Sequence, residues 1–253
     1  MLLIKFVKFM LVGGTGALIT FGITWVLTEQ FDLWYMGSLV IATIVAMISN
    51  FLFNNYWTFA VKQRQPSDAD YEWFAYYHGN PIQRWWKRQI SKIILEWIPK
   101  NNRLLEIGSG SSPTIGNYKN AVGIDINSEK IKFIQDKLPD IEFKATGNTK
   151  EFDNASFDNV ICIEVLEHLE QPEKVVAEIS RILKSGGMTV IATPDYDKKL
   201  WNIAEMFTPY KEEHCYKFNR ERLEKMCQTY NLVPLKYKYV AKCDLVEIFL
   251  KIK

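Results

Sequence analysis

Two long apolar stretches open the chain, and short apolar runs alternating with amphipathic segments follow. Phe9 to Leu27 is uncharged and mostly apolar, and Leu33 to Val61 carries no charge. Each is long enough for a spanning helix, which needs about 20 residues. A cleaved signal peptide would explain the first run but not the second, and no small-residue cleavage site follows a short apolar core. Two buried helices of a soluble protein are the alternative. Lys62 to Asp70 is polar, contains Pro66 and reads as a linker. The expected organisation is a two-span hairpin over 1–61, a linker over 62–70 and an α/β domain over 71–253.

In that domain the pattern predicts a helix from Asn80-Pro81 to about Ile98, with Ile90, Ile93, Ile94 and Trp97 on its apolar face. Strands are expected near 103–107, 121–125, 141–146, 157–163 and 188–193. Asn127 or Ser128 caps a helix through about Leu138, and Asn219 caps another through about Tyr230. A third helix opens at Pro172 and is expected to stop at Gly186-Gly187. Two β-rich runs, 233–240 and 245–252, close the chain. This order implies a mainly parallel sheet ending in an antiparallel hairpin.

Charge refines the picture. Residues 1–61 hold only Lys5, Lys8, Glu29 and Asp32. Lys5 and Lys8 precede the first run, Lys62 and Arg64 follow the second, and the connection between the runs has no basic residue. The positive-inside rule then places both ends and the α/β domain in the cytoplasm. Gly16, Thr20 and Thr24 line one face of the first helix, and Ser38, Ala42 and Ala46 line one face of the second. Such faces pack a hairpin on itself or build a homodimer. Asn50, Asn54 and Asn55 read as polar glue, part of a substrate path, or interfacial residues. The net charge of +2 and the lack of a basic run point away from nucleic acid. Cys162, Cys215, Cys227 and Cys243 show no CxxC spacing and no metal-ligand interval to a histidine, so no metal cluster is expected. The aromatic stretch Tyr71, Trp73, Phe74, Tyr76, Tyr77, Trp85 and Trp86 covers an active site, lies at the bilayer surface, or packs its helix on the sheet.

The chemistry centres on Leu104-Leu105-Glu106-Ile107-Gly108-Ser109-Gly110. A strand ends in a glycine turn, and a second strand ends in Asp125. Glycines let the backbone approach a nucleotide, and the later carboxylate can hold both ribose hydroxyls. The dinucleotide form G-x-G-x-x-G fails, because Pro113 stands at its third glycine.

With Phe157 to Leu169 (FDNVICIEVLEHL), Leu183-Lys184-Ser185-Gly186-Gly187 and Ala192-Thr193-Pro194-Asp195, this half resembles a class I S-adenosylmethionine-dependent methyltransferase. The resemblance implies a Rossmann-like seven-stranded sheet and S-adenosyl-L-methionine as cofactor. It implies that Glu106 and the Gly108, Ser109 and Gly110 backbone position the methionine part, and that Asp125 holds the ribose. Ile126 would pack on adenine, Asn148 would accept its amino group in place of the usual acid, and Glu164 would line the same site. Ser112 stands where a third glycine is frequent. His168, beyond the fourth strand, and His214, in an expected lid over 196–218, are the candidate bases. Each is alternatively structural, His168 as a helix or loop partner and His214 in ordering the lid.

Lys8 to Gly14 (KFMLVGG) and Asn50 to Phe59 (NFLFNNYWTF) resemble the first half of GtrA-like membrane proteins. That family usually has four spans and is implicated in moving polyprenyl-phosphate-linked sugars. The combination implies a membrane-tethered methyltransferase acting on an O or N nucleophile of a small-molecule, lipid or lipid-linked glycan acceptor. A GtrA-like carrier component of polysaccharide synthesis, with a cofactor-sensing or inactive methyltransferase fold, is the alternative.

Overall fold

The computed structural model describes residues 2–54, 67–201 and 214–252. The chain divides into two units, Met1–Gln65 and Pro66–Lys253. Expectations for Asn55, Tyr56, Trp57, Lys62, Arg64 and the middle of the lid, 202–213, lie outside the described residues.

The first unit is two helices, α1 (Leu2–Glu29) and α2 (Tyr35–Phe53), long and apolar enough to cross a membrane. Small residues form their seam. Ser38, Ala42 and Ala46 are buried on α2, and Val12, Gly16 and Thr24 on α1. Removing side-chain bulk lets helix backbones come close where lipid supplies no hydrophobic force. Asn50 lies in this seam, with its amide against Gly16. Its side-chain oxygen is buried there without a hydrogen-bond partner.

The second unit is a seven-stranded sheet with helices on both faces. It holds β1 (Leu104–Ile107), β2 (Ala121–Asp125), β3 (Glu142–Ala145), β4 (Phe157–Ile163), β5 (Leu183–Pro194), β6 (Leu232–Val240) and β7 (Asp244–Lys251). The order is β3-β2-β1-β4-β5-β7-β6, with β7 antiparallel to both neighbours and the remaining pairs parallel. Strand order reverses between β1 and β4, the place where open α/β sheets bind ligands at their carboxyl edge.

Helices α3 (Tyr71–Tyr77), α4 (Pro81–Trp97), α5 (Ser128–Lys137), α6 (Pro172–Ile182) and α7 (Arg220–Thr229) complete the unit. Their starts follow from capping. Asn80, Asn127 and Asn219 each accept a backbone N–H of the first turn, satisfying donors that a helix leaves open. Alternate strand residues feed two cores. Leu105, Val160, Cys162 and Phe249 pack with Val176, Ile179 and Ile182 of α6 and Leu223 of α7. Leu104, Ile161, Val190 and Ile248 pack with Ile90, Ile94 and Trp97 of α4 on the other face. The central strands, buried on both faces, are therefore continuously apolar.

One boundary differs from expectation. α6 ends at Ile182, and β5 begins at once at Leu183, paired with Phe157 of β4. Gly186, at φ 77°, accommodates the register shift before Met188 instead of stopping the helix. Ser67 to Asp70, expected as the end of the linker, forms a short 3-10 turn in this unit, with Asp70 accepting from both Ser67 N and Oγ at 2.7 Å.

Candidate active site

The carboxyl ends of β1 and β2 build the first half of the site. After Ile107 the chain turns at Gly108 (φ 68°) and Gly110 (φ 50°), in the left-handed region that favours glycine. A Cβ on Gly108 would overlap the Val165 side chain. Ser109 N donates to Ile124 O at 3.0 Å, tying the turn to β2. Asp125 then fixes the geometry from the far side. Its Oδ2 accepts Gly110 N at 2.9 Å, and its Oδ1 accepts Asn127 N at 2.8 Å. Each oxygen keeps lone-pair capacity for one further donor.

Glu106 lies beneath the turn, 3% exposed, and its Oε2 has no partner. Burial first, then the nearby Glu72 carboxylate, push its pKa up to about 8, against a lowering bond from Ser112. Ser112 thus supports Glu106 at the position where a glycine is frequent. Ile126 is 85% exposed, beside the Gly147 backbone. Asn148 is exposed on the same loop, and its side-chain oxygen accepts Lys150 N at 3.0 Å.

Two residues that no motif marked reach the site, Glu72 at the first half and Lys87 at the end of β4. Glu72 of α3 stands over Gly110, accepts Ser111 N at 3.1 Å and Ser111 Oγ at 2.5 Å, and pairs with Lys130 at 2.7 Å. Burial pushes its carboxyl up, but Lys130 and Ser111 together bring it below the usual range. Lys87 of α4 pairs with Glu164. Burial alone would lower the Lys87 pKa, and Glu164 more than reverses this, so the ammonium stays charged. Glu164 itself sits at φ 53°, an uncommon conformation for a side-chain-bearing residue, at the end of β4. Its N–H is held by Ala192 O at 2.9 Å. The expected cofactor residue Glu164 is therefore engaged by a helix that packs on the sheet. The only sequence signal for Glu72 and Lys87 was their place in the aromatic, basic stretch.

The carboxyl end of β4 carries the second half. A 3-10 turn, Leu166–His168, buries Glu167 and exposes His168. His168 and His214 come together with ring centroids 4.8 Å apart. His214 Nδ1 lies 2.5 Å from the Tyr196 hydroxyl, and its ring stacks on Trp201. Tyr216 N donates to Glu167 O at 3.0 Å, fastening the two segments. Among the described residues, one group of three metal-capable side chains is present, Glu167, His168 and His214, with ligand atoms within 4.8 Å of one another. The spacing of histidines and cysteines had given no sign of it, because its members come from separate segments. His78 follows the last turn of α3 and is exposed.

Residues 78–237 match the family model described as a methyltransferase domain. Residues 8–118 match that of the GtrA/DPMS transmembrane domain, a span that runs past α2 into β1 and its glycine turn. Over 151 residues the chain is 27% identical to the ubiquinone biosynthesis O-methyltransferase of Paracidovorax citrulli, covering 50% of this chain and 63% of the relative. Over 102 residues it is 26% identical to the phosphatidylethanolamine N-methyltransferase of Cereibacter sphaeroides, covering 36% of this chain and 50% of that one. The chain thus spans less than two thirds of the length of either relative. A solved structure of Burkholderia thailandensis 1,6-didemethyltoxoflavin-N1-methyltransferase, with bound 1,6-didemethyltoxoflavin and S-adenosylhomocysteine, shares the fold at TM-score 0.55 and 15% identity, covering 76% of this chain and 94% of that one.

The family's cofactor is S-adenosylmethionine, and the residues present fit it. The buried, unpartnered Glu106 oxygen calls for a donor such as the cofactor's amino group, and the side-chain-free turn at Gly108 and Gly110 admits its backbone approach. Asp125 offers an acceptor to each ribose hydroxyl, and Ile126 offers an apolar surface to adenine. The chain belongs to the methyltransferase-domain family and carries a GtrA/DPMS transmembrane segment ahead of that domain.

Proposed function

We propose that this chain is an S-adenosylmethionine-dependent methyltransferase, held at the cytoplasmic face of a membrane by its first 61 residues and acting on a membrane-borne acceptor. The observation that carries the reading is Asp125, which closes the glycine turn through Gly110 and retains two acceptor positions for a ribose, in a chain that opens with two membrane-length helices. The two relatives named above for ubiquinone biosynthesis and phosphatidylethanolamine favour a lipid acceptor.

When bound, S-adenosylmethionine supplies a methyl group on a positively charged sulfur, activated for in-line displacement. The chain's residues then align and deprotonate. Glu106 holds the amino group, Asp125 the ribose, and Ile126 with the loop at Asn148 the adenine. His168 and His214, at the carboxyl end of β4, stand where the acceptor enters and serve to take its proton. Lys87 pairs with Glu164 and balances its charge. The hairpin raises the local concentration of lipid acceptors, an effect of tethering that needs no new contact. The carrier alternative has less support, since only two candidate spans occur among the described residues.

The side of the membrane is open to direct test. Cys215 is exposed, whereas Cys162, Cys227 and Cys243 are buried. In intact cells a membrane-impermeant maleimide is expected to leave Cys215 unlabelled, and permeabilisation is expected to expose it. Full labelling in intact cells would place the domain outside.

A further inference from the structure

We propose that the outward face of α4, with the lysines of β6 beside it, docks on an anionic lipid surface and brings the mouth of the site to the bilayer. The docking rests on the membrane part of the reading above and not on methyl transfer.

The helix has two unlike faces. Ile90, Ile93, Ile94 and Trp97 are buried against the sheet. On the other side Ile82, Trp85, Arg88 and Lys92 recur at three- and four-residue spacing, and all four are exposed. Ile82 is 72% exposed and Trp85 47%. Single exposed apolar residues are ordinary, but here they share one helix face with cations. That mixture suits a lipid surface. Apolar groups enter the boundary between headgroups and chains, tryptophan settles at that depth, and cations pair with lipid phosphates.

Strand β6 widens the face. The ammonium groups of Lys236 and Lys238 stand over the Trp97 ring, 4.9 and 5.7 Å from its centroid, which sets them beside α4. Lys238 pairs with the exposed Glu96 at 2.9 Å. A groove of about 300 Å³ between helix and strand is lined by Trp85, Gln89, Lys92 and Lys238, among others. Arg88, Lys92, Lys236 and Lys238 against Glu96 leave the face positive. A second copy docking through the same face would set like charges together, whereas an anionic leaflet complements them.

The position links this face to the site. Trp86 and Lys87, next in sequence to Trp85, hold the inner side of the same helical turn. Trp86 Nε1 donates to the buried Asp244 Oδ2 at 2.7 Å, and Lys87 pairs with Glu164. Asp244 lies opposite Pro194 at the end of β5, and Glu164 follows β4, so both mark the carboxyl edge that also carries the glycine turn. A bilayer against Ile82 and Trp85 therefore places headgroups beside the mouth. Residues 55–66 reach at most about 43 Å when fully extended. A tether of that length makes a contact sufficient that would be too weak to hold a free domain.

The test uses full-length protein in nanodiscs of phosphatidylcholine, alone or with about one third phosphatidylglycerol. In a Cys215→Ser background, an environment-sensitive fluorophore is attached at Gln89→Cys, in the groove, or at Lys174→Cys, exposed on α6 across the sheet. Doxyl-labelled lipid is the quencher. With phosphatidylglycerol at low salt, the Gln89→Cys label should be quenched about twofold more than the Lys174→Cys label, and high salt should remove the difference. The double variant Arg88→Glu/Lys92→Glu should remove it too, with an unchanged unfolding midpoint; salt decides the matter where that variant does not fold. Equal quenching at the two positions, stronger quenching at Lys174→Cys, or quenching at Gln89→Cys indifferent to phosphatidylglycerol and salt overturns the docking. A spectral shift at Gln89→Cys that needs no lipid and grows with protein concentration assigns the face to a second copy and overturns it as well. Protein that does not incorporate into nanodiscs overturns the membrane reading together with the docking. Protein that docks but does not bind S-adenosylhomocysteine upholds the docking and overturns methyl transfer alone.

Discussion

Asp125→Ala is expected to lower the affinity of the full-length protein for S-adenosylhomocysteine by about a hundredfold or more. Two losses combine. The carboxylate's bonds to the two ribose hydroxyls disappear, and hydrogen bonds to a charged group contribute about 1.5–3 kcal/mol each. The substitution also frees Gly110 N and Asn127 N, which the same oxygens hold at 2.9 and 2.8 Å, so the glycine turn loses its brace. Asp125→Asn keeps one acceptor and should cost less, about tenfold. Calorimetric titration in detergent measures all three proteins. An alanine variant within threefold of the parent would show that Asp125 does not hold the ribose.

A second large effect is expected from pH. Four buried carboxyls hold their protons above the ordinary range. Glu106 and Glu247 are raised to about 8, Asp244 to about 7, and Glu167 well above its usual value. Burial is the first cause in each. Glu72 adds to it at Glu106, Glu224 at Glu247, and Glu164 at both Asp244 and Glu167, while Arg220 opposes at Glu247 and Lys87 at Asp244. The sign follows from proton counting. Between the unfolded pKa, near 4, and the raised folded values, the folded chain binds more protons than the unfolded chain, so stability falls as pH rises. The contribution is complete below that window and lost at its top. Carboxyls shifted down, such as Glu72 and Glu178, lose their effect only below the window and do not cancel this trend. The unfolding midpoint should therefore drop by about 5 °C or more between about pH 5 and pH 8. Glu106→Gln should flatten the profile. A midpoint that rises over this range would contradict the buried neutral carboxyls.

Much of the second unit was legible in the sequence because its signals are local. Asparagine caps name the starts of α4, α5 and α7, and β-branched runs fall on β2 and β4. The glycine turn and Asp125 were likewise readable, since a strand, a turn and a following acid are contiguous or nearly so. Gly186-Gly187 misled because glycine serves helix stops and strand irregularities alike, and only the pairing of Leu183 with Phe157 decides between them. The Glu72 and Lys87 contacts were illegible for a different reason. Each depends on where α3 and α4 dock: α4 by Ile90, Ile94 and Trp97 packing on the sheet, and α3 by the bonds between Ser111 and Glu72, neither of which local sequence signals reveal. The grouping of Glu167, His168 and His214 is also tertiary: the chain returns beside its own turn through the Tyr216–Glu167 bond. Asn50 against Gly16 shows the same limit in the first unit, where helix pairing decides what a polar residue faces.

The most direct test of a membrane-acting methyltransferase is where the methyl group goes. Full-length protein in liposomes made from a total cellular lipid extract would be given methyl-labelled S-adenosylmethionine, with the matching water-soluble extract supplied in parallel. The account predicts label in a solvent-extractable lipid product, lost in Asp125→Ala. Label confined to water-soluble product, or no transfer by protein that binds S-adenosylhomocysteine, would contradict it.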